Sequence, residues 1–246
     1  EVERFKAIEG DSITDEVMNK YNPNKLDTQT SSDLGLAENK NSVACLLSHL
    51  EIIKSAKKNK YSKILIFEDD ILLDSGFDEK VKSIKNLDWE LLYLGASQFN
   101  WGGIKVNETY YNSKNSLGTF AYCINSSIYD TLIEKIENTR KSIDNILSDY
   151  QRSNKKCYML YPNIVISDVT SSDIRNIKDM SEYSKIVKWD MTNFTFIKES
   201  KSIMKKNEAL GNLISLDILF RKLDVEYWLT CGTLLGFYRD NNFIGH

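Results

Sequence analysis

Lys63-Ile64-Leu65-Ile66-Phe67-Glu68-Asp69-Asp70 is the stretch on which the fold turns. Ile-Leu-Ile-Phe is a short, uninterrupted apolar run of the kind that forms a strand buried on both faces, as in a parallel sheet covered by helices. Three carboxylates follow at once. The strand therefore delivers them to one edge of the sheet, and open α/β sheets bind ligands at the carboxyl ends of their strands. Strand alternation predicts Glu68 and Asp70 on one side and Asp69 on the other. Carboxylates this close repel and raise each other's pKa unless a cation relieves them. A hard divalent ion with oxygen ligands does so and leaves positions open for phosphate oxygens. A nucleotide-diphosphate sugar supplies such oxygens, and the ion then neutralises charge on the departing diphosphate. An acidic turn, solvated or capping a helix, is the plain alternative for the same three residues.

Upstream, residues 41–60 are the clearest helix, with Val43, Leu46, Leu47, Leu50 and Ile53 at helical spacing. Lys57, Lys58 and Lys60 suit the negative end of its dipole. Residues 4–10 alternate like a short strand, Ser12-Ile13-Thr14-Asp15 reads as a helix start, and residues 21–40 read as a long polar loop. Downstream, residues 77–85 predict an amphipathic helix, 89–94 a second buried strand ending at Gly95, 99–116 a loop and 119–124 a third strand. Helices are expected over 126–138 and 142–150, and short strands over 157–161 and 163–166 around Pro162. Strands alternating with helices give an α/β fold with a mainly parallel sheet. The pattern is weak over 173–199, helical over 200–223, and apolar, aromatic and Gly-rich over 226–239. Three units are expected: a domain over 1–176, a connector over 177–199 and a second segment over 200–246.

The composition narrows the class. The 246 residues carry 32 basic and 35 acidic side chains, a net charge of -3, which argues against a nucleic-acid binder with its basic face. Only 2 Pro and 11 Gly argue against a disordered or fibrous chain. No apolar run approaches the roughly 18 residues that a membrane-spanning helix needs, so no transmembrane segment is expected. Of Cys45, Cys123, Cys157 and Cys231, no two stand at Cys-x-x-Cys spacing, which argues against a zinc or dithiol site. Lone thiols in apolar segments read as small core residues.

The order of motifs carries a resemblance. Arg4-Phe5-Lys6-Ala7-Ile8-Glu9-Gly10, Ala44-Cys45-Leu46-Leu47-Ser48-His49-Leu50, Ile64 to Asp70, Trp89-Glu90-Leu91-Leu92-Tyr93-Leu94-Gly95 and Gly118-Thr119-Phe120-Ala121-Tyr122-Cys123-Ile124 follow one another. Ser142-Ile143-Asp144, Tyr161-Pro162 and Ser171-Ser172-Asp173-Ile174 complete the series. Together they resemble glycosyltransferase family 25, the group of lipooligosaccharide and procollagen galactosyltransferases, over residues 1–176. The resemblance implies a GT-A type, Rossmann-like nucleotide-sugar domain. It implies inverting transfer of galactose or glucose from UDP-galactose or UDP-glucose to a hydroxyl on a glycan or glycoprotein acceptor, usually with Mn²⁺. Asp70 is then the direct metal ligand, with Glu68 or Asp69 reaching the ribose or a metal-bound water. Such a protein sits in the cytoplasm or at a membrane surface in a microbe, and in the secretory lumen in a eukaryote.

Inversion needs a base for the acceptor hydroxyl. Asp144 is the first candidate and suits equally a helix N-cap; Asp168 and Asp173 are alternatives as base or further metal ligand. His49 reads as a packed helical residue or as part of the donor site. Gly118 and Thr119 suit the wall of a sugar pocket, since glycine lets backbone approach closely. Trp101, Tyr110 and Tyr111 suit stacking on sugars or packing on the domain. Two departures from the family stand out: its usual first strand has no counterpart here, and Ser142 stands where a proline is usual. Residues 227–246, with Gly232-Thr233-Leu234-Leu235-Gly236, resemble the start of LicD/fukutin-type phosphotransferases, whose Asp-x-Asp motif does not follow. The expectation is a transferase domain joined to the opening of another domain. The alternatives are a non-catalytic sugar- or partner-binding domain on the same fold, or part of a LicD-like phosphotransferase.

Overall fold

The computed structural model describes residues 2–27, 30, 33–37, 39–82, 84, 86–102, 104–169, 179–194 and 226–229. Nine strands occur among them: β1 (Val2–Arg4), β2 (Lys63–Phe67), β3 (Ile71–Leu73), β4 (Leu91–Tyr93), β5 (Tyr110–Asn112), β6 (Ala121–Asn125), β7 (Cys157–Leu160), β8 (Val165–Ser167) and β9 (Glu226–Leu229). The helices are α1 (Asp15–Tyr21), α2 (Lys40–Lys58), α3 (Phe77–Lys82), α4 (Tyr129–Glu137), α5 (Ile143–Ser153) and α6 (Met180–Val187).

Seven strands form one sheet in the order β1-β9-β2-β6-β4-β7-β5, and β3 pairs with β8 in a separate ribbon. The fold is α/β, as expected, but the sheet is mixed rather than mainly parallel. β6 runs antiparallel to both β2 and β4, and β5 antiparallel to β7. Parallel pairing is confined to β1 with β9, β9 with β2, and β4 with β7. Burial on both faces makes a strand apolar whichever way it runs, so the sequence pattern could not tell the two directions apart.

Alternation along β2 sorts its side chains between two cores. Ile64 and Ile66 join Leu91, Tyr93, Tyr122 and Ile124 under α2, α4 and α5. Leu65 and Phe67 join Leu92, Leu94, Ala121 and Cys123 on the other face, with α3 and α6. The result is a sheet covered by helices on both sides. α2 begins at Asn39, whose side chain accepts from the Ser42 N–H, and α1 at Thr14, which accepts from Val17 N–H. Such caps satisfy amides that the first turn leaves unpaired.

The expected strand over 4–10 is not formed: β1 covers only Val2–Arg4, and residues 5–9 are neither helix nor strand, since pairing with β9 rather than local alternation sets its extent; β3 answers to no predicted strand. Two further elements differ from the sequence reading. β5 lies in the expected loop, and α6 lies in the expected connector, where Tyr183, Val187 and Trp189 enter the second core. Trp189 Nε1 donates to Ala96 O at 2.8 Å, and Tyr183 Oη donates to Ser97 Oγ at 2.7 Å. Both elements are too short for periodicity to reveal. Gly95 is required by close approach: a Cβ there would lie 2.0 Å from Val165 O. The expected helix over 200–223 and the Gly-rich stretch 232–236 lie outside the described residues. No helix among the described residues is long and apolar enough to cross a membrane.

Candidate active site

β2 ends at Phe67 and the chain then turns, so the predicted alternation of the three carboxylates does not hold. Glu68 N–H still pairs with Phe120 O at 2.9 Å, which sends the Glu68 side chain under α2. There Oε1 accepts from Thr119 Oγ1 at 2.7 Å and lies 3.5 Å from His49 Nε2. His49 is 4% exposed and its Nδ1 is hydrogen-bonded to Tyr122 Oη at 2.7 Å. His49 is thus a packed residue of α2 whose ring lies between Tyr122 and Glu68. Burial drives the Tyr122 hydroxyl well above its ordinary pKa, helped by Tyr93, so Tyr122 stays neutral.

Asp70 goes the other way, toward β8. Its Oδ2 accepts from Ser167 Oγ at 2.8 Å, and its backbone O accepts from Asp168 N–H at 2.7 Å. Its Oδ1 is buried with no hydrogen-bond partner. Burial first, then the charge of Glu68, raises the Asp70 carboxyl from 3.8 to about 7; Ser167 opposes the shift and Asp69 adds to it. Leaving a buried acceptor unpaired is costly, and a cation is the ligand that suits a carboxylate so placed. Asp69 is exposed beside it. Asp168, joined through its backbone to Asp70, is therefore at the same edge.

Gly118 has φ +86°, and a Cβ there would meet Phe120 Cε1 at 2.6 Å. Its N–H donates to Asp144 Oδ2 at 3.4 Å. This bond brings α5 to the Thr119 end of the site. The cap position of α5 is Ser142, so Asp144 is a first-turn residue and not the N-cap. Ser142 N–H donates to Gly35 O at 3.0 Å, a bond a proline could not make.

Glu68, Asp69, Asp70, His49, Thr119, Gly118, Asp144 and Asp168 are thus drawn to the carboxyl end of β2 and its neighbours. Asp173 lies outside the described residues. Trp101 packs in an aromatic group with Tyr111 and Tyr161, and Tyr110 meets Tyr158, so these rings pack on the domain. Two surface hollows of about 340 and 290 Å³ are lined by other residues, among them Thr131 and Asp149 in one, Tyr161 and Pro162 in the other. Neither hollow takes in the acidic edge that follows β2. Cys123 and Cys157 are buried core thiols, each pushed up to about 12 by burial. Cys45 is only partly buried; its place beside His49 and Glu68 was missed, although its four-residue spacing from His49 on a helix was visible. Ser167 carried no sequence signal.

The fold and this edge define a class: a Rossmann-like α/β domain in which the buried strand β2 is followed at once by carboxylates. The family model described as glycosyltransferase family 25 (LPS biosynthesis protein) matches residues 1–147. The chain belongs to glycosyltransferase family 25. It is similar to the probable inactive glycosyltransferase 25 family member 3 of Bos taurus, 27% identical over 100 residues, which cover 38% of this chain and 17% of that protein. The inactive glycosyltransferase 25 family member 3 of Homo sapiens is 33% identical over 67 residues, or 25% of this chain and 11% of that one. The alignments therefore span less than a fifth of either relative's length.

Proposed function

We propose that the chain is a metal-dependent, inverting glycosyltransferase that moves galactose or glucose from a UDP-sugar to a hydroxyl of a glycan or glycoprotein acceptor. One observation carries this reading: Asp70 presents a buried carboxylate oxygen with no hydrogen-bond partner, beside Glu68 and Asp69. Asp70 would be the ligand of a hard divalent ion such as Mn²⁺, with the neighbouring Asp69 in support, while Glu68 is turned toward α2. When bound, such an ion offsets negative charge on a departing diphosphate. The chain's own groups do the rest. Ser167 orients the Asp70 carboxylate through its hydroxyl. Thr119 and His49 hold Glu68 against α2. Gly118 allows backbone to approach a donor sugar, and Asp144, whose Oδ2 accepts from the Gly118 N–H, takes the proton of the acceptor hydroxyl as that oxygen attacks. Asp168 is the second base candidate.

The names of the relatives favour a second reading, a domain of this fold that binds without catalysing. The two separate in one experiment. The protein is incubated with a panel of UDP-sugars, with and without Mn²⁺, and UDP release is measured alongside melting temperature. Metal-dependent release that Asp70→Asn abolishes supports transfer. A melting shift with glycan but no release, unchanged by Asp70→Asn, supports binding alone.

A further inference from the structure

We propose that Cys45, His49 and Glu68 form a site for one thiophilic divalent cation of the zinc class. The Cys45 Sγ, a His49 ring nitrogen and a Glu68 carboxylate oxygen lie within 4.8 Å of one another. These three residues are the trio of that kind among the described residues. Sulfur, imidazole and carboxylate together are the zinc donor set, and three protein ligands with one position left open match the pattern of zinc sites that keep a place for water or substrate.

The His49–Glu68 spacing, within the range of an ion pair, also leaves room for ligation. His49 Nε2 and Glu68 Oε1 are 3.5 Å apart, longer than an ordinary N–H···O bond of about 2.7–3.2 Å. Two ligands each about 2.0–2.1 Å from a tetrahedral ion are about 3.3 Å apart.

The surroundings are those of ligands held in place. Cys45 and His49 stand four residues apart on the 19-residue α2, so they share one face of a rigid element. The other ring nitrogen, His49 Nδ1, is bonded to Tyr122 Oη at 2.7 Å, and Glu68 Oε1 is fixed by Thr119 Oγ1 at 2.7 Å. Partners of this kind orient the histidine ring and the carboxylate of a metal site. His49 is buried while Cys45 and Glu68 are partly exposed, which gives the ion an entry. The thiol releases its proton to solvent on binding. The site is distinct from the Asp70 carboxyl, whose side chain meets the Ser167 hydroxyl and whose oxygens suit a hard ion, whereas thiolate selects a soft one.

The test uses the full chain freed of metal and titrated with Co²⁺, a spectroscopic substitute for zinc. One equivalent should produce a near-ultraviolet thiolate-to-cobalt band and the intense visible bands of a four-coordinate ion, and one equivalent of Zn²⁺ should abolish both. Cys45→Ser should remove the near-ultraviolet band and weaken cobalt binding at least tenfold. Glu68→Gln should weaken it by a similar factor, and Asp70→Asn should leave the spectrum unchanged. Zn²⁺ should also slow iodoacetamide alkylation of Cys45 in the unmutated protein, read by peptide mass, which covers the case of a variant that does not fold. The proposal is overturned if the unmutated protein gives no thiolate band, if the band survives Cys45→Ser, or if zinc leaves Cys45 alkylation unchanged. None of these readouts needs sugar transfer, so a protein that transfers nothing would still pass or fail.

Discussion

Replacing Asp70 by asparagine should stabilise the metal-free protein above neutral pH, although it removes the proposed ligand. The Asp70 carboxyl is raised from 3.8 to about 7, chiefly by burial. A raised carboxyl pKa means that the native state keeps its proton to higher pH than the unfolded chain does. Stability therefore falls as pH rises, from about 4, where the unfolded carboxyl ionises, to about 7, where the native one does, and levels off above. Three units at about 1.4 kcal/mol each give an upper bound of about 4 kcal/mol. Partial exposure and relaxation make about 2 kcal/mol the working expectation. Asparagine keeps an oxygen for Ser167 Oγ and carries no charge, so this penalty should disappear. For a chain of this size, about 2 kcal/mol is a rise of roughly 4–8 °C in melting temperature. Melting in EDTA would be followed at half-unit steps from pH 4.5 to pH 8. The variant should exceed the parent by a margin that grows to about pH 7 and then stays constant. With Mn²⁺ at about 100 times its Kd, the parent should recover about 2.7 kcal/mol by mass action and the variant nothing. A variant less stable than the parent at pH 8, or a margin independent of pH, would refute the idea that Asp70 is held as a strained carboxylate.

Lys80→Met should destabilise the fold by about 3 kcal/mol, since it leaves the buried Asp74 without the ammonium 2.6 Å away; urea denaturation at pH 7 reads this, and an unchanged midpoint would show that the pair adds nothing. Gly118→Ala should cost about 1–2 kcal/mol from its φ of +86° and the contact with Phe120, and should lower UDP release with it. Asp144→Asn should cut UDP release at least about 100-fold while the melting shift with UDP and Mn²⁺ persists; full release would transfer the role of base to Asp168.

The strand at 63–67, the helix read over 41–60 and found at 40–58, the acidic run and the family membership were legible in the chain, because each is written in local periodicity or contiguous motif; the Asn39 cap of that helix was not. Local pattern records which face of an element is apolar, not which element will cover it. The direction of β6, the insertion of β9 between β1 and β2, and the entry of α6 into the second core were therefore settled only by tertiary pairing. So were the contacts that define the site. Glu68 meets a threonine 51 residues on, His49 a tyrosine 73 residues on, and Asp70 a serine 97 residues on. The sequence by itself determined that three carboxylates stand at the rim of a sheet. The fold alone decided that the turn after Phe67 parts them, sending Glu68 to the helix with Cys45 and His49 and burying Asp70 against β8, because neighbours so far apart in the chain leave no periodic trace in it.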